Sequence, residues 1–188
     1  MNGGGGWGQT NHTATFTAPG LPALSTGNFK TSGGIVGGTI GYNYQFGQWL
    51  LGGEADLDWS NIQGTFNGAA PGGAAAFSLS SQLNWLETTR ARVGWVWNRA
   101  LFYGTAGAAL GGVTTSASAT AAGAALTASD TQTRFGWTAG AGIEYAFTNN
   151  ISAKVEYLHV DLGTQTQINV DSVKFTTDLV RGGVNLRF

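Results

Sequence analysis

The chain of 188 residues contains no cysteine, 3 prolines and 1 methionine, and only 9 basic and 10 acidic side chains. Each shortage excludes something. Without cysteine there is no disulfide framework, thiolate metal site or cysteine nucleophile. Charged residues make up 10% of the sequence, against roughly 25% in an ordinary soluble domain, so something other than water faces much of the surface. A formal charge of -1 supplies none of the positive excess that phosphate binding exploits, which argues against a nucleic-acid partner. Apolar runs such as Ala100 to Val113 are broken by glycines and fall short of the ~20 residues a spanning helix needs. A helical membrane protein is excluded. The start, Met1-Asn2-Gly3-Gly4, has no basic region followed by an apolar stretch, so no signal peptide is read there and a mature or trimmed form is expected.

What the chain has in quantity is glycine and aromatic rings: 31 Gly, 7 Trp, 5 Tyr and 10 Phe. That much buriable surface is foreign to disorder, and the length fits one domain over residues 1–188. Read with a period of two, the chain resolves into an opening segment, Gly3 to Thr10, and seven longer ones of about 13 to 18 residues. The short connections are Gly47-Gln48, Asn98-Arg99-Ala100 and Thr148-Asn149-Asn150, built from residues that tolerate tight turns. Long connections are expected over Asn11 to Ser32, Thr65 to Leu79, Ala117 to Asp130 and Thr164 to Val173, which are rich in Gly, Ala, Ser, Thr and Asn. Eight up-and-down strands follow, with every short turn at one end.

The sign of the alternation decides what the sheet faces. Trp49, Leu51, Gly53, Ala55, Leu57 and Trp59 alternate with Leu50, Gly52, Glu54, Asp56 and Asp58. The segment Phe135 to Phe147 sets Phe135, Trp137, Ile143, Tyr145 and Phe147 against Gly136, Thr138, Gly140, Gly142 and Glu144. The last segment sets Val180, Val184, Leu186 and Phe188 against Arg181, Asn185 and Arg187. An eight-stranded interior is narrow and suits the small polar face, not so many rings. The apolar face therefore turns outward, as in a membrane barrel. Trp49 and Trp59, Trp85 and Trp95, and Phe135 and Tyr145 are each ten residues apart on that face. With ~3.3 Å per residue and a tilt of ~40°, ten residues rise roughly 25 Å, the height of the apolar band between the two aromatic girdles of an outer-membrane barrel.

Four stretches resemble the alphaproteobacterial outer-membrane immunogenic, or porin-family, small β-barrels: Gly37 to Gly64, Trp85 to Gly111, Gly136 to Gly163 and Val180 to Phe188. The resemblance covers about half the chain and nearly all of its strands. It implies an all-β, eight-stranded antiparallel up-and-down transmembrane β-barrel in the outer membrane, with a C-terminal Phe188 of the kind read by the barrel-assembly machinery. The sequence departs from the family at its start, where GGGGWGQT alone precedes the first loop. Closure then rests on a short, glycine-rich first strand, because an open edge would leave backbone groups unpaired in lipid.

By parity the lumen holds Glu54, Asp56, Asp58, Glu144 and Glu156 with Arg90, Arg92, Lys154, Arg181 and Arg187. The turn at Thr148 to Asn150 sets Glu144 opposite Lys154, and level tryptophans set Glu54 opposite Arg90. Unpaired charges there would be very costly, so an ion network that fills the barrel is favoured over an ion path or ligand site.

Other candidates are weaker. His159 points outward beside Tyr157; it resembles the outward histidine of outer-membrane lipid A deacylases, but His159-Val160-Asp161 lacks their serine, so a girdle residue is the better reading. His12 falls in the first long connection as a lone solvated histidine, and the two histidines make no metal site. Glu87 faces lipid two residues inside Trp85 and reaches to the headgroups, with a partner contact as the lesser reading. Gly3 to Gly6 lacks the Lys-Ser/Thr of a phosphate loop. The expected function is non-enzymatic, with no cofactor: a structural and surface-interaction barrel with a charge-plugged lumen. Its expected partners are the bilayer and lipopolysaccharide, the assembly machinery, and host surfaces or neighbouring proteins touched by the loops. The alternatives are a ligand-binding barrel, since some family relatives are associated with haem capture, and a narrow pore.

Overall fold

The computed structural model describes residues 1–14, 27–69, 75–121, 124–167 and 171–187. They form eight strands: β1 (Asn2–Ala14), β2 (Gly27–Phe46), β3 (Trp49–Ala69), β4 (Ala75–Trp97), β5 (Ala100–Ala121), β6 (Ala124–Ala146), β7 (Ile151–Gln167) and β8 (Asp171–Leu186). Each pairs antiparallel with its chain neighbour, and β1 also pairs with β8, so the ring is closed. The first strand is the shortest, at 13 residues, yet it is hydrogen-bonded on both edges.

Two corrections to the sequence reading follow. Stretches expected as long connections are partly strand: Thr65 to Ala69, Ala75 to Leu79, Ala117 to Ala121 and Ala124 to Asp130 all belong to β3 to β6. Small alternating residues sustain pairing beyond the membrane because the backbone ladder alone satisfies them. His12 likewise lies in β1, opposite Gly27 and Val173, and not in a loop.

The tight turns are local chemistry. Gly47 takes φ +62°, and Asn98 takes φ +55°, the left-handed region that Gly and Asn enter most easily. Both two-residue connections follow from that.

Passing from strand to strand along cross-strand partners, Gly53 leads through Ala91, Ala106, Ala139, His159, Asp178, Trp7 and Ser32 back to β3 at Gln63. The register has advanced ten residues in one circuit. That stagger tilts eight strands by about 40° and leaves an interior only wide enough for side chains.

Parity is broken on β4, and again on β7 at Gly163, where φ is +68°. Asn84 has no partner in the β4–β5 ladder, which shifts between Leu83 and Trp85. Its side-chain Nδ2 donates to Thr114 Oγ1 at 2.7 Å. This bulge turns Ser81 and Leu83 inward, although Trp85 and Glu87 on the same odd parity face outward.

Candidate functional site: the lumen and its membrane face

The lumen contains one connected ion network made by β3, β4, β6, β7 and β8. Arg90 lies at its centre, with Nη2 at 2.5 Å from Asp56 and 2.7 Å from Glu54, and Nη1 at 3.1 Å from Glu156. Arg181 reaches Asp58 at 2.6 Å and Glu156 at 2.8 Å. Lys154 bridges Glu156 at 3.2 Å and Glu54 at 3.6 Å. Arg92 joins Glu144 at 2.6 Å to Glu54 at 3.7 Å, and Arg187 closes on Glu144 at 2.6 Å. The structure thus brings all ten sequence-assigned lumen charges together. All but Arg187 are buried; its side chain is 43% exposed at the mouth nearest the tight turns.

The register sets Glu144 opposite Lys154 and Glu54 opposite Arg90, as the turn and tryptophan arguments expect. The ion pairs do not all follow the register. Glu144 is held by Arg92 and Arg187, and Lys154 turns to Glu54 and Glu156. Long side chains in a narrow tube reach across it as readily as to the next strand.

Neutral groups complete the network, and sequence reasoning missed them. Asp56 accepts from Thr39 Oγ1 at 2.6 Å and Thr88 Oγ1 at 2.9 Å, and Glu144 accepts from Ser152 Oγ at 2.5 Å. The Arg92 guanidinium lies 3.6 Å over the centroid of the Tyr103 ring, a cation–π contact. Arg134 is a further buried inward cation. It shares the parity of Gly136, Thr138 and Glu144, which is the signal that would have found it.

Above the charges, toward the long connections, the lumen turns apolar. Along β7 the inward positions read Lys154, Glu156, Leu158, Val160 and Leu162; along β8 they read Arg181, Leu179, Thr177 and Phe175. Leu158, Val160, Leu162, Leu179 and Phe175 join Ile62, Leu83, Leu86 and Val113 in one buried cluster. This corrects the expectation that aliphatic side chains all turn toward hydrocarbon and polar ones toward the axis. A smaller apolar group, Leu50, Leu101 and Tyr103, lies near the tight turns. On the same side a cavity of about 810 Å³, lined by Thr39, Asn43, Glu54, Arg92 and Arg187 among others, opens below the network.

The outer surface carries the rings. Trp49, Trp59, Trp95, Phe135 and Tyr145 are exposed, and Trp85 is partly so. Trp49 is the register partner of Trp95 and Trp59 that of Trp85. Trp49 and Trp95 meet edge to face at 5.1 Å between centroids. Leu57, Val93, Phe102, Ile143 and Val155 lie exposed between the two levels, and Glu87 is exposed opposite Leu57.

His159 faces outward but is not alone. Its Nδ1 lies 2.8 Å from Asp178 Oδ1, which also accepts from the Tyr157 hydroxyl at 2.6 Å. The adjacent acid is on β8, where local spacing gives no hint of it. No group of three His, Cys, Asp or Glu side chains among the described residues is placed to hold a metal ion. Phe188, assigned to assembly, lies outside the described residues.

A closed, staggered eight-stranded ring with an apolar outer wall, rings at two levels and an ion-paired interior defines an outer-membrane β-barrel. The Outer membrane protein beta-barrel domain matches residues 1–188, and the chain belongs to that family. Its relatives include the 31 kDa outer-membrane immunogenic protein of Brucella melitensis, 38% identical over 84% of this chain and 68% of the relative. The 22 kDa outer membrane protein of Rhizobium leguminosarum bv. viciae is 34% identical, over 79% of this chain and 63% of that one. The crystal structure of Neisserial surface protein A is similar at a TM-score of 0.45 and 17% identity, covering 100% of this chain and 96% of that chain. The protein is a component of the outer membrane, and relatives in Brucella bear names that mark them as immunogenic.

Proposed function

We propose that this barrel is a non-enzymatic structural and surface-interaction protein, closed to ion flow by its luminal charges, with its long connections presented outside the cell. The observation that carries this reading is the connected network from Arg187 through Glu144, Arg92, Glu54 and Arg90 to Arg181 and Asp58. It occupies the axis at mid-height, and the layer above it is packed with buried aliphatic side chains around the buried Arg134. Opening a path would mean dismantling paired charges and crossing an apolar zone, each strongly unfavourable.

Lipopolysaccharide and the barrel-assembly machinery are the expected partners of the outer wall, and host or neighbouring proteins those of the connections. Single-channel recording in planar bilayers tests the closed lumen. The expected record is flat, and reproducible unitary steps would overturn the reading. The narrow-pore alternative draws on the cavity beneath the network. If it holds, Arg90→Ala should raise an existing conductance, not create one.

A further inference from the structure

The membrane face carries a polar constellation at girdle level, and the upper end of an apolar groove reaches it. Asp178 pairs in register with Trp7 and His159, and the His159 ring lies 5.4 Å from that of Trp137. Trp7 and Trp137 are each 51% exposed. Asp178 Oδ1 is used twice, by Tyr157 and His159, whereas Asp178 Oδ2 and His159 Nε2 enter no hydrogen bond among the described residues. Unsatisfied polar groups at a hydrocarbon boundary are costly, so this pair calls for a ligand that supplies donors and acceptors.

The groove, of about 700 Å³, lies on the same wall. It begins at Trp49 and Trp95, the girdle rings near the tight turns, and rises past Val93, Phe102 and Val155, with the small residues Gly104 and Ala141 in its wall. Its upper end is Tyr157, the residue that also bonds Asp178. Large side chains thus surround two small ones, leaving an apolar groove whose upper end lies beneath hydrogen-bonding groups.

We propose that this face is a binding site for one outer-leaflet glycolipid, an acylated amino sugar whose chain fills the upper part of the groove, between Tyr157, Val180 and Ala141, and whose sugar hydroxyls meet Asp178 and His159. Tight turns lie on the periplasmic side of such barrels and long connections outside, which places the constellation in the outer leaflet. A phosphate headgroup fits poorly. The free carboxylate oxygen of Asp178 repels it, and the nearest lysine, Lys174, is already 3.1 Å from Asp161. Sugar hydroxyls donate to a carboxylate, and the exposed indoles of Trp7 and Trp137 suit the apolar face of a pyranose ring. The inference rests on the proposed lipopolysaccharide partnership of the outer wall and deepens it by assigning the acylated sugar a site.

The test is native mass spectrometry of the full chain folded in detergent, with dephosphorylated lipid A as the probe. Heat-modifiable gel mobility is recorded for every sample, so a misfolded barrel is told apart from an empty site. One glycolipid is expected to remain bound per barrel. The double change His159→Leu and Asp178→Leu, compatible with lipid, should reduce retention at least tenfold while the gel shift persists. Ala141→Leu, which fills the upper part of the groove, should do the same without touching a polar group. The deacylated disaccharide should not be retained. Wild-type retention by either folded variant would overturn the site, as would equal or better retention of phosphatidylglycerol. Equal retention of the deacylated sugar would overturn the role of the groove. A dimer through this wall with no bound lipid would reassign the face to a second copy of the chain.

Discussion

The two halves of the lumen are filled by contrasting chemistry on the same strands, mainly ionic near the tight turns and mainly aliphatic, around Arg134, toward the long connections. Near the tight turns, β3, β4, β7 and β8 present Glu54, Arg90, Lys154 and Arg181; toward the long connections they present Ile62, Leu83, Leu162 and Phe175. The charged half is directional and uses long side chains whose reach ignores the strand ladder. The apolar half is non-directional and depends on volume. A narrow barrel thus excludes water by two independent means, and their failures should look different.

Arg181→Met would strike the charged half hardest. It leaves Asp58 and Glu156 without their closest cation, and should lower stability by about 3 to 5 kcal/mol, as for one partner removed from a buried pair. Urea unfolding from phosphatidylcholine vesicles would read it, and a loss under 1 kcal/mol would mean that the network relaxes freely. In the apolar half, Leu83→Ala should cost about 2 to 5 kcal/mol by leaving a cavity. That loss should be unaccompanied by any conductance, because an apolar cavity stays dry.

Turning the comparison outward, Ala141→Arg should cost about 2 to 4 kcal/mol at the lipid midplane, seen as reduced insertion into vesicles. Leu57→Arg should cost less than Ala141→Arg, because Glu87 is its cross-strand partner; equal losses would place Glu87 out of reach. The smallest effect sharpens the depth of the charged half. Arg187→Gln at the exposed rim should change stability by less than about 1 kcal/mol, and a larger change would extend the tightly coupled network to the mouth.

Legibility in the sequence follows the same division. The ten luminal charges and six girdle rings lie on uninterrupted period-two stretches, so Glu54 to Asp58, or Phe135 to Phe147, disclose which face each residue takes. The upper aliphatic layer was hidden for two physical reasons. Leu158, Val160 and Leu162 alternate with Tyr157, His159 and Asp161, so along β7 the usual polarity is inverted and the pattern reads as noise. On β4 the bulge at Asn84 reverses parity, which sends Leu83 inward against the phase set by Glu87 and Trp85. The partnership of His159 with Asp178 was invisible because it depends on the register between β7 and β8, which no local motif encodes.

The seam between β1 and β8 joins residues at opposite ends of the sequence, Trp7 to Asp178 and Gly3 to Gly182. Such distant pairing carries a large loop-closure entropy and forms slowly, so this seam is expected to zip after the others. Gly3 to Gly6 meet Leu179 to Gly182 on one side and Gly33 to Val36 on the other. The slowest join is thereby also the one with the fewest side chains to steer past one another, and a bulky residue at Gly5 would be felt as delayed assembly before it was felt as lost stability.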